Sequence, residues 1–410
     1  MCEASSVKSA MLLLLLSLPL SAQDSASVLM SFASGTSANP GASSVPMLMR
    51  QWRDWHVMLH GVAFVNRIEQ SGRRADEPKT FSTNWIMGSA SRPFAGGTLM
   101  LRTMLSLEPA TITDRKYPLL FQTGETAFGR PIIDGQHPHD FFMEVAAAYA
   151  RRIGSRSLVH VYVAPVGDPA LGPVAFPHRA SAAELPQAVL GHHYQDSTHI
   201  ASSVVTGGVT IGAWRVEGSA FHGREPDEER WDFDGGAPDS WSGRLTWTPA
   251  PSLTAQVSAA YISKPEKLEP GDQQRRTASI SYTRGGWAST ILCGQIYKES
   301  HDNTLNSWLA ESLVRFANRH SVSLRVERGD KDELFPHRHG PVIERPPIAV
   351  PTFRIDAATL GYTFDVLRAS SMRAGAGATY TVYAYPQRLE PFYGKDVRTT
   401  LVFVRLRIGG

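Results

Sequence analysis

The chain has 410 residues, 42% apolar and 19% charged, with 41 basic against 38 acidic side chains and a net charge of +3. So balanced a charge provides no electrostatic footprint for nucleic acid, and the apolar content excludes a disordered chain. The charged fraction is low for a surface that faces only water, and the length allows either several ordinary domains or one large all-β unit.

Residues 1–22 read as an export signal. Lys8 supplies the positive charge, "AMLLLLLSLPL" the apolar run and "SAQ" the small residues before cleavage near Ala22. That run is too short to span a bilayer, which takes about 20 apolar residues. Cys2 leaves with the signal and Cys293 remains alone, so an internal disulfide is excluded and burial with backbone pairing must hold the chain. Residues 23–50 are expected to form a flexible N-terminal segment, and 51–410 a single domain.

Through that domain the apolar residues recur with period two. In "SLTAQVSAAY" Leu253, Ala255, Val257, Ala259 and Tyr261 alternate with Thr254, Gln256 and Ser258; in "TASISYT" Ala278, Ile280 and Tyr282 alternate with Ser279 and Ser281. In "RHSVSLRVE" Val322, Leu324 and Val326 oppose Ser323, Arg325 and Glu327, and near the end Val402, Val404, Leu406 and Ile408 oppose Arg405 and Arg407. "HDFFMEVAAAYARR" fits a strand or a helix. The pattern predicts about 16 strands, with 12 to 18 admissible, each of about ten to thirteen residues.

The connections decide which all-β architecture this is. Tight turns are expected at 93–96, 154–157, Gly212, 249–252, 284–286, Asn318 and 367–371. Between them lie long connections at 71–79, 108–136, 167–195, 225–239, 264–274, 330–350 and 386–395, with a middling one around "KESHDN". A soluble sandwich has no reason to sort loop lengths by end, whereas a transmembrane barrel has short periplasmic turns and long extracellular loops. The expected fold is therefore a transmembrane antiparallel up-and-down β-barrel. Arg215, Glu217, Gln256, Arg325, Glu327, Arg405 and Arg407 would line its lumen, and Trp214, Trp231, Trp241 and Trp247 with Tyr261, Tyr282, Tyr380, Tyr383, Tyr385 and Tyr393 would form aromatic girdles.

Of 14 histidines, most fall in or beside long connections, including His137, His139, His178, His192, His193, His337 and His339, with His222 ending a strand that leads into one. Neutral imidazole with carboxylate suits borderline transition metals. The candidate ligands are His137, His139, Asp140, His192, His193 and His199, and the candidate ions copper and zinc. His137 and His139 flank Pro138 and in an extended chain would address one ion together. Asp134 and Asp196 would orient ligand rings, with His178 and His222 in the surrounding layer. The competing role for all of them is bracing of long loops without metal.

"SGTSANP", "YPLLFQTGE", "GQHPHDFFME", "PVGDPALGPVAFPHR", "GHHYQDSTHI" and "GSAFHGREPDE" resemble strings of a family of uncharacterised Gram-negative envelope proteins of outer-membrane barrel type, over most of the mature chain. The resemblance implies export to the envelope and a β-rich fold. It implies no activity and no site residues.

Three further motifs compete for a role. Asp196, Ser197 and His199 in "QDSTH" have the residue types of a hydrolase, with Ser197 and His199 on one strand face, but triads are assembled from distant segments and no G-x-S-x-G elbow is present. Glu225, Asp227, Glu228, Glu229, Asp232 and Asp234 lack the D-x-D-x-D-G order of a calcium loop and read as a solvated, ion-paired loop. Met30, Met47, Met49 and Met58 are soft donors in type, although methionine more often fills apolar gaps. The functional expectation is a passive one: an outer-membrane channel or surface receptor in contact with lipid and with a small solute or metal ion. A lipid or ester hydrolase using Ser197 and His199, or a structural barrel without metal, is the alternative.

Overall fold

The computed structural model describes residues 24–196, 201–269, 271–300, 302–335 and 351–409. The expected signal, Ser197, His199, His337 and His339 lie outside these. The strands forming the barrel are β1 (Trp55–Gln70), β2 (Lys79–Phe94), β3 (Gly97–Leu105), β4 (Phe142–Ile153), β5 (Ser157–Gly167), β6 (Ala201–Ile211), β7 (Trp214–His222) and β8 (Ser240–Ala250). They continue as β9 (Leu253–Ile262), β10 (Gln273–Arg284), β11 (Trp287–Lys298), β12 (Asn303–Phe316), β13 (His320–Lys331), β14 (Phe353–Arg368), β15 (Met372–Ala384) and β16 (Arg398–Ile408). Each pairs antiparallel with its sequence neighbour, and β16 closes onto β1 with Val404 opposite Val65 and Thr399 opposite Gln70, giving a closed 16-stranded barrel. A short strand, Leu48–Trp52, extends the sheet beyond the end of β16 by pairing with the start of β1. The ambiguous "FMEVAAAYARRI" is strand, because both its edges pair.

Turns of two or three residues join β2–β3, β4–β5, β6–β7, β8–β9, β10–β11, β12–β13 and β14–β15, all at one end. At the first of them Ala95 and Gly96 have φ of 45° and 76°, positive at both central positions as a type I′ hairpin needs. The other end carries every long connection. No helix among the described residues is long and apolar enough to cross a membrane.

Period two sorts the wall into two faces. Val216, Val257, Leu324, Val326, Val404 and Leu406 are exposed on the outside. Their strand neighbours Arg215, Glu217, Gln256, Arg325, Glu327, Arg405 and Arg407 are buried on the inside. An apolar outer band on strands of this length matches hydrocarbon rather than water. Aromatic pairs stand at both rims: Trp214 stacks on Trp247 at 5.7 Å near the short turns, and Trp241 on Tyr261 at 6.4 Å near the long loops. Tyr383, Tyr385 and Tyr393 depart from the girdle expectation. They pack on Phe121 inside, the Tyr393 ring stacking at 4.3 Å, because their connection folds inward.

The N-terminal segment also departs from expectation. Instead of a flexible lead-in it holds helix α1 (Ser25–Met30), capped by Asp24, whose carboxylate accepts the Ser27 N–H at 2.6 Å. Val28, Leu29 and Phe32 pack on the small inward residues Ala146, Ala148 and Ala150. Arg102 of β3 donates to the carbonyls of Phe32 and Gly35 at 2.8 and 2.6 Å, and Arg244 of β8 reaches Thr36 Oγ1 at 2.7 Å. The wall's own arginines therefore hold the segment in the lumen.

Two long connections follow it inward. One apolar cluster runs from Phe64, Ile68, Phe81 and Phe403 on β1, β2 and β16 to Leu292 and Leu309 on β11 and β12. It passes through Tyr117 and Leu119 of one loop and Phe176 and Val189 of the other, so the two loops bridge the barrel interior. Arg179 of the second loop lies between Glu311 at 2.5 Å and Asp196 at 3.1 Å.

Candidate functional site

The histidines do gather, but not in the expected set. Helix α2 (Glu108–Thr111) and the irregular chain through His137 come from the loop after β3, helix α3 (His192–Gln195) from the loop after β5, and Glu225 from the loop after β7. His137 Nδ1 bonds the Pro138 carbonyl at 2.7 Å, which makes Nδ1 the protonated nitrogen and turns the Nε2 lone pair toward Glu125 Oε1, in direct contact. His193 Nε2 lies 3.7 Å from the same carboxylate oxygen, and its Nδ1 lies 3.8 Å from Glu225 Oε1. One ligand atom each from Glu125, His193 and Glu225 falls within 4.8 Å of the others.

Of the other expected ligands His199 lies outside the described residues, and His139, Asp140 and His192 each have a charged side-chain partner. The backbone N–H and the Nδ1 of His139 both meet Glu108 Oε2, at 2.9 and 3.0 Å. The ring centroids of the two histidines are 6.1 Å apart. Asp140 binds Arg230 at 2.9 Å, and His192 Nδ1 binds Asp196 at 2.7 Å. Of the residues expected to orient ligand rings, only Asp196 does so, toward His192. Asp134 accepts the Phe121 N–H at 2.8 Å and meets Arg74 at 2.7 Å, His178 touches Met104, and His222 pairs with Asp239 at 2.8 Å. Asp196 also accepts the Phe176 N–H at 2.9 Å and Arg179 Nη1 at 3.1 Å, while Ser197 and His199, its expected partners in a hydrolytic arrangement, lie outside the described residues.

Glu125 and Glu225 are the residues that sequence reasoning missed. Neither has a local mark; Glu225 read as one more acid in a solvated loop. Burial pushes the Glu125 carboxyl up to about 7 and Glu225 well above the usual carboxylate range. Burial likewise holds His137 and His193 well below the usual imidazole value. Neutral imidazoles with nitrogen lone pairs facing buried carboxylates repel unless a proton or cation lies between. Two nitrogens and two carboxylates are a donor set for zinc or cupric ion. A polar cavity of about 250 Å³ lined by Thr126, His222, Glu225, Glu228, Asp234 and Lys267 leads to Glu225 from the long-loop side. A second acidic group, Glu266, Glu269 and Glu333, surrounds Lys298, which is its counter-ion.

A closed antiparallel barrel with an apolar outer band, rim aromatics, a charged interior and loops sorted by end is the fold of the outer-membrane β-barrels, and more narrowly of the 16-stranded porins. Among solved structures the chain is similar to Salmonella typhi OmpF in complex with daunomycin (TM-score 0.53, 8% identity, 88% of this chain and 100% of that one). It is similar also to an anion-selective porin from Comamonas acidovorans (TM-score 0.51, 11% identity, 87% and 100%) and to OmpT, an outer-membrane protein of Vibrio cholerae (TM-score 0.50, 8% identity, 88% and 100%). At these identities the likeness is one of fold. No family model and no curated protein sequence matches the chain.

Proposed function

We propose that the protein is a Gram-negative outer-membrane channel, exported by its N-terminal signal, whose lumen is held closed by its own loops and which binds a transition-metal ion of borderline softness at Glu125, His137, His193 and Glu225. The apolar band supports residence in lipid, and the porin-type fold supports a channel. The observation that carries the metal reading is the Nε2 lone pair of His137 turned onto Glu125, with His193 and Glu225 completing the set from two other loops. Zinc and cupric ion are the ions this donor set suits, and the polar cavity beside Glu225 is their way in from outside.

Zinc titration of the purified protein, followed by metal analysis, tests the reading. The expected result is one bound equivalent, lost in the Glu125→Gln, His193→Ala variant while heat-modifiable gel mobility shows the barrel intact. Absence of tight zinc or cupric binding, or unchanged stoichiometry in that variant, would overturn it.

A further inference from the structure

A different set of donors lies on the inner face of β1, β2 and β3. His60 of β1 is the register partner of Met87 of β2, and Met87 is the register partner of Met104 of β3. Directly opposed residues share a face of the sheet with Cβ atoms about 5 Å apart, and here all three are buried inside the barrel. His178, from the loop after β5, lies across the end of this row with Nε2 at 3.0 Å from Met104 Sδ. The His60 and His178 ring centroids are 6.3 Å apart, and Trp85 flanks both at 5.1 and 4.2 Å. Met143 packs on Met87 and Met104 from β4.

His60 is the telling member. It is 7% exposed, and neither of its ring nitrogens has a hydrogen-bond partner. Buried imidazole nitrogens are normally satisfied. Its ring lines a largely apolar cavity of about 250 Å³, also bordered by Met47, Trp85 and His178, that reaches Gly285 and Gly286 in the β10–β11 turn and so opens toward the short-turn end. The nearest wall charges are already matched, Arg102 meeting Glu144 at 2.6 Å and Glu144 accepting from Tyr162 at 2.6 Å.

We propose that His60, Met87, Met104 and His178 form a binding site for a soft monovalent cation of the cuprous type, entered from the periplasmic side. Thioether sulfur and neutral imidazole select soft ions, and a set without carboxylate gives calcium, magnesium or zinc little reason to shed water. A cation among these donors would give the His60 ring the partner it lacks. The site does not depend on the Glu125 reading: the donors, the cavity and the side of access all differ. The methionines that stood out in the sequence are not the ligands, since Met87 and Met104 are brought beside the imidazoles only by strand register.

Silver(I), a redox-stable analogue, and cuprous ion held by a competing chelator are the probes, applied to the full chain in a Cys2→Ser, Cys293→Ser background so that thiols do not compete. One equivalent of silver is expected with sulfur and nitrogen neighbours by X-ray absorption, weakened at least tenfold in Met87→Leu, Met104→Leu. It should be unchanged in Glu125→Gln, His193→Ala, the variant expected to lose zinc. Should the double leucine variant lose its folded, heat-modifiable form, His60→Leu alone decides. Failure of the parent to bind silver tightly, or full binding in the folded variant, would overturn the site, and neither result touches the zinc reading.

Discussion

Glu184, on the loop after β5, is held by Arg407 of β16 at 3.1 Å and by a direct contact with Arg405 beside it, while Arg315 of β12 approaches to 3.5 Å. One loop carboxylate thus ties three wall arginines and fixes the loop across the barrel. All three groups on the β16 side are buried, and removing one partner of a buried ion pair costs about 3–5 kcal/mol because the other charge is left uncompensated. Glu184→Gln is therefore expected to release the loop while leaving the barrel wall intact. Single-channel recording in planar bilayers should show rare or small openings in the parent and larger, longer ones in the variant. Equal conductance in the two would mean that Glu184 does not hold the loop.

The same contact gives the closed state an acid limit. Burial alone would raise the Glu184 carboxyl, but Arg407, Arg405 and Arg315 outweigh it and hold it at about 2, below the ordinary 4.5. A depressed acid contributes stability that is fully present above the ordinary value and is lost as pH falls from 4.5 toward 2. Channel openings in the parent should rise through that window. In Glu184→Gln this part of the acid response should be missing.

The lipid-facing side can be tested with one charge. Val257 is 53% exposed at the centre of β9, opposite Leu245 on β8 and Ala278 on β10. Arginine at the bilayer midplane of a barrel costs about 2–4 kcal/mol. Val257→Arg should lower the free energy of folding into lipid vesicles, read from urea titration, by an amount of that order, whereas Gln256→Arg, one residue away and facing the lumen, should not show a lipid-dependent loss. A similar loss in both would argue against the assignment of faces.

The barrel was legible in the sequence because its determinants are local. Alternation in "SLTAQVSAAY" and turn residues such as Ala95–Gly96 or Gly285–Gly286 act over a few positions, so wall, faces and the segregation of loops all follow from them. The lumen contents were not legible. "SASVLMSFASGTSANP" has no period of two, and what fixes it is a set of arginines distant in sequence, Arg102 and Arg244 among them. The histidine pair His137 and His139 shows the limit most sharply. Spacing put both rings on one side of an extended chain, but the carboxylates they meet, Glu108 for His139 and Glu125 for His137, are set by the fold and not by that spacing. Glu125 and Glu225 come together from loops a hundred positions apart, which no local pattern records.

That division between ligand and brace yields a last prediction. His139 and His192 each spend Nδ1 on a buried carboxylate, Glu108 at 3.0 Å and Asp196 at 2.7 Å, and those carboxylates also accept backbone N–H groups of His139 and Phe176. Removing such a ring leaves its partner less satisfied, at a cost of about 1–3 kcal/mol, yet withdraws no donor from the group around Glu125. His139→Gln and His192→Asn should therefore bind one zinc as the parent does, while protease cuts the loops after β3 and β5 more readily. His137→Gln and His193→Asn should show the converse, weaker zinc with little change in the metal-free cleavage pattern. If all four variants lose zinc alike, the histidines act as one coupled group, and the separation into two roles drawn from their contacts is wrong.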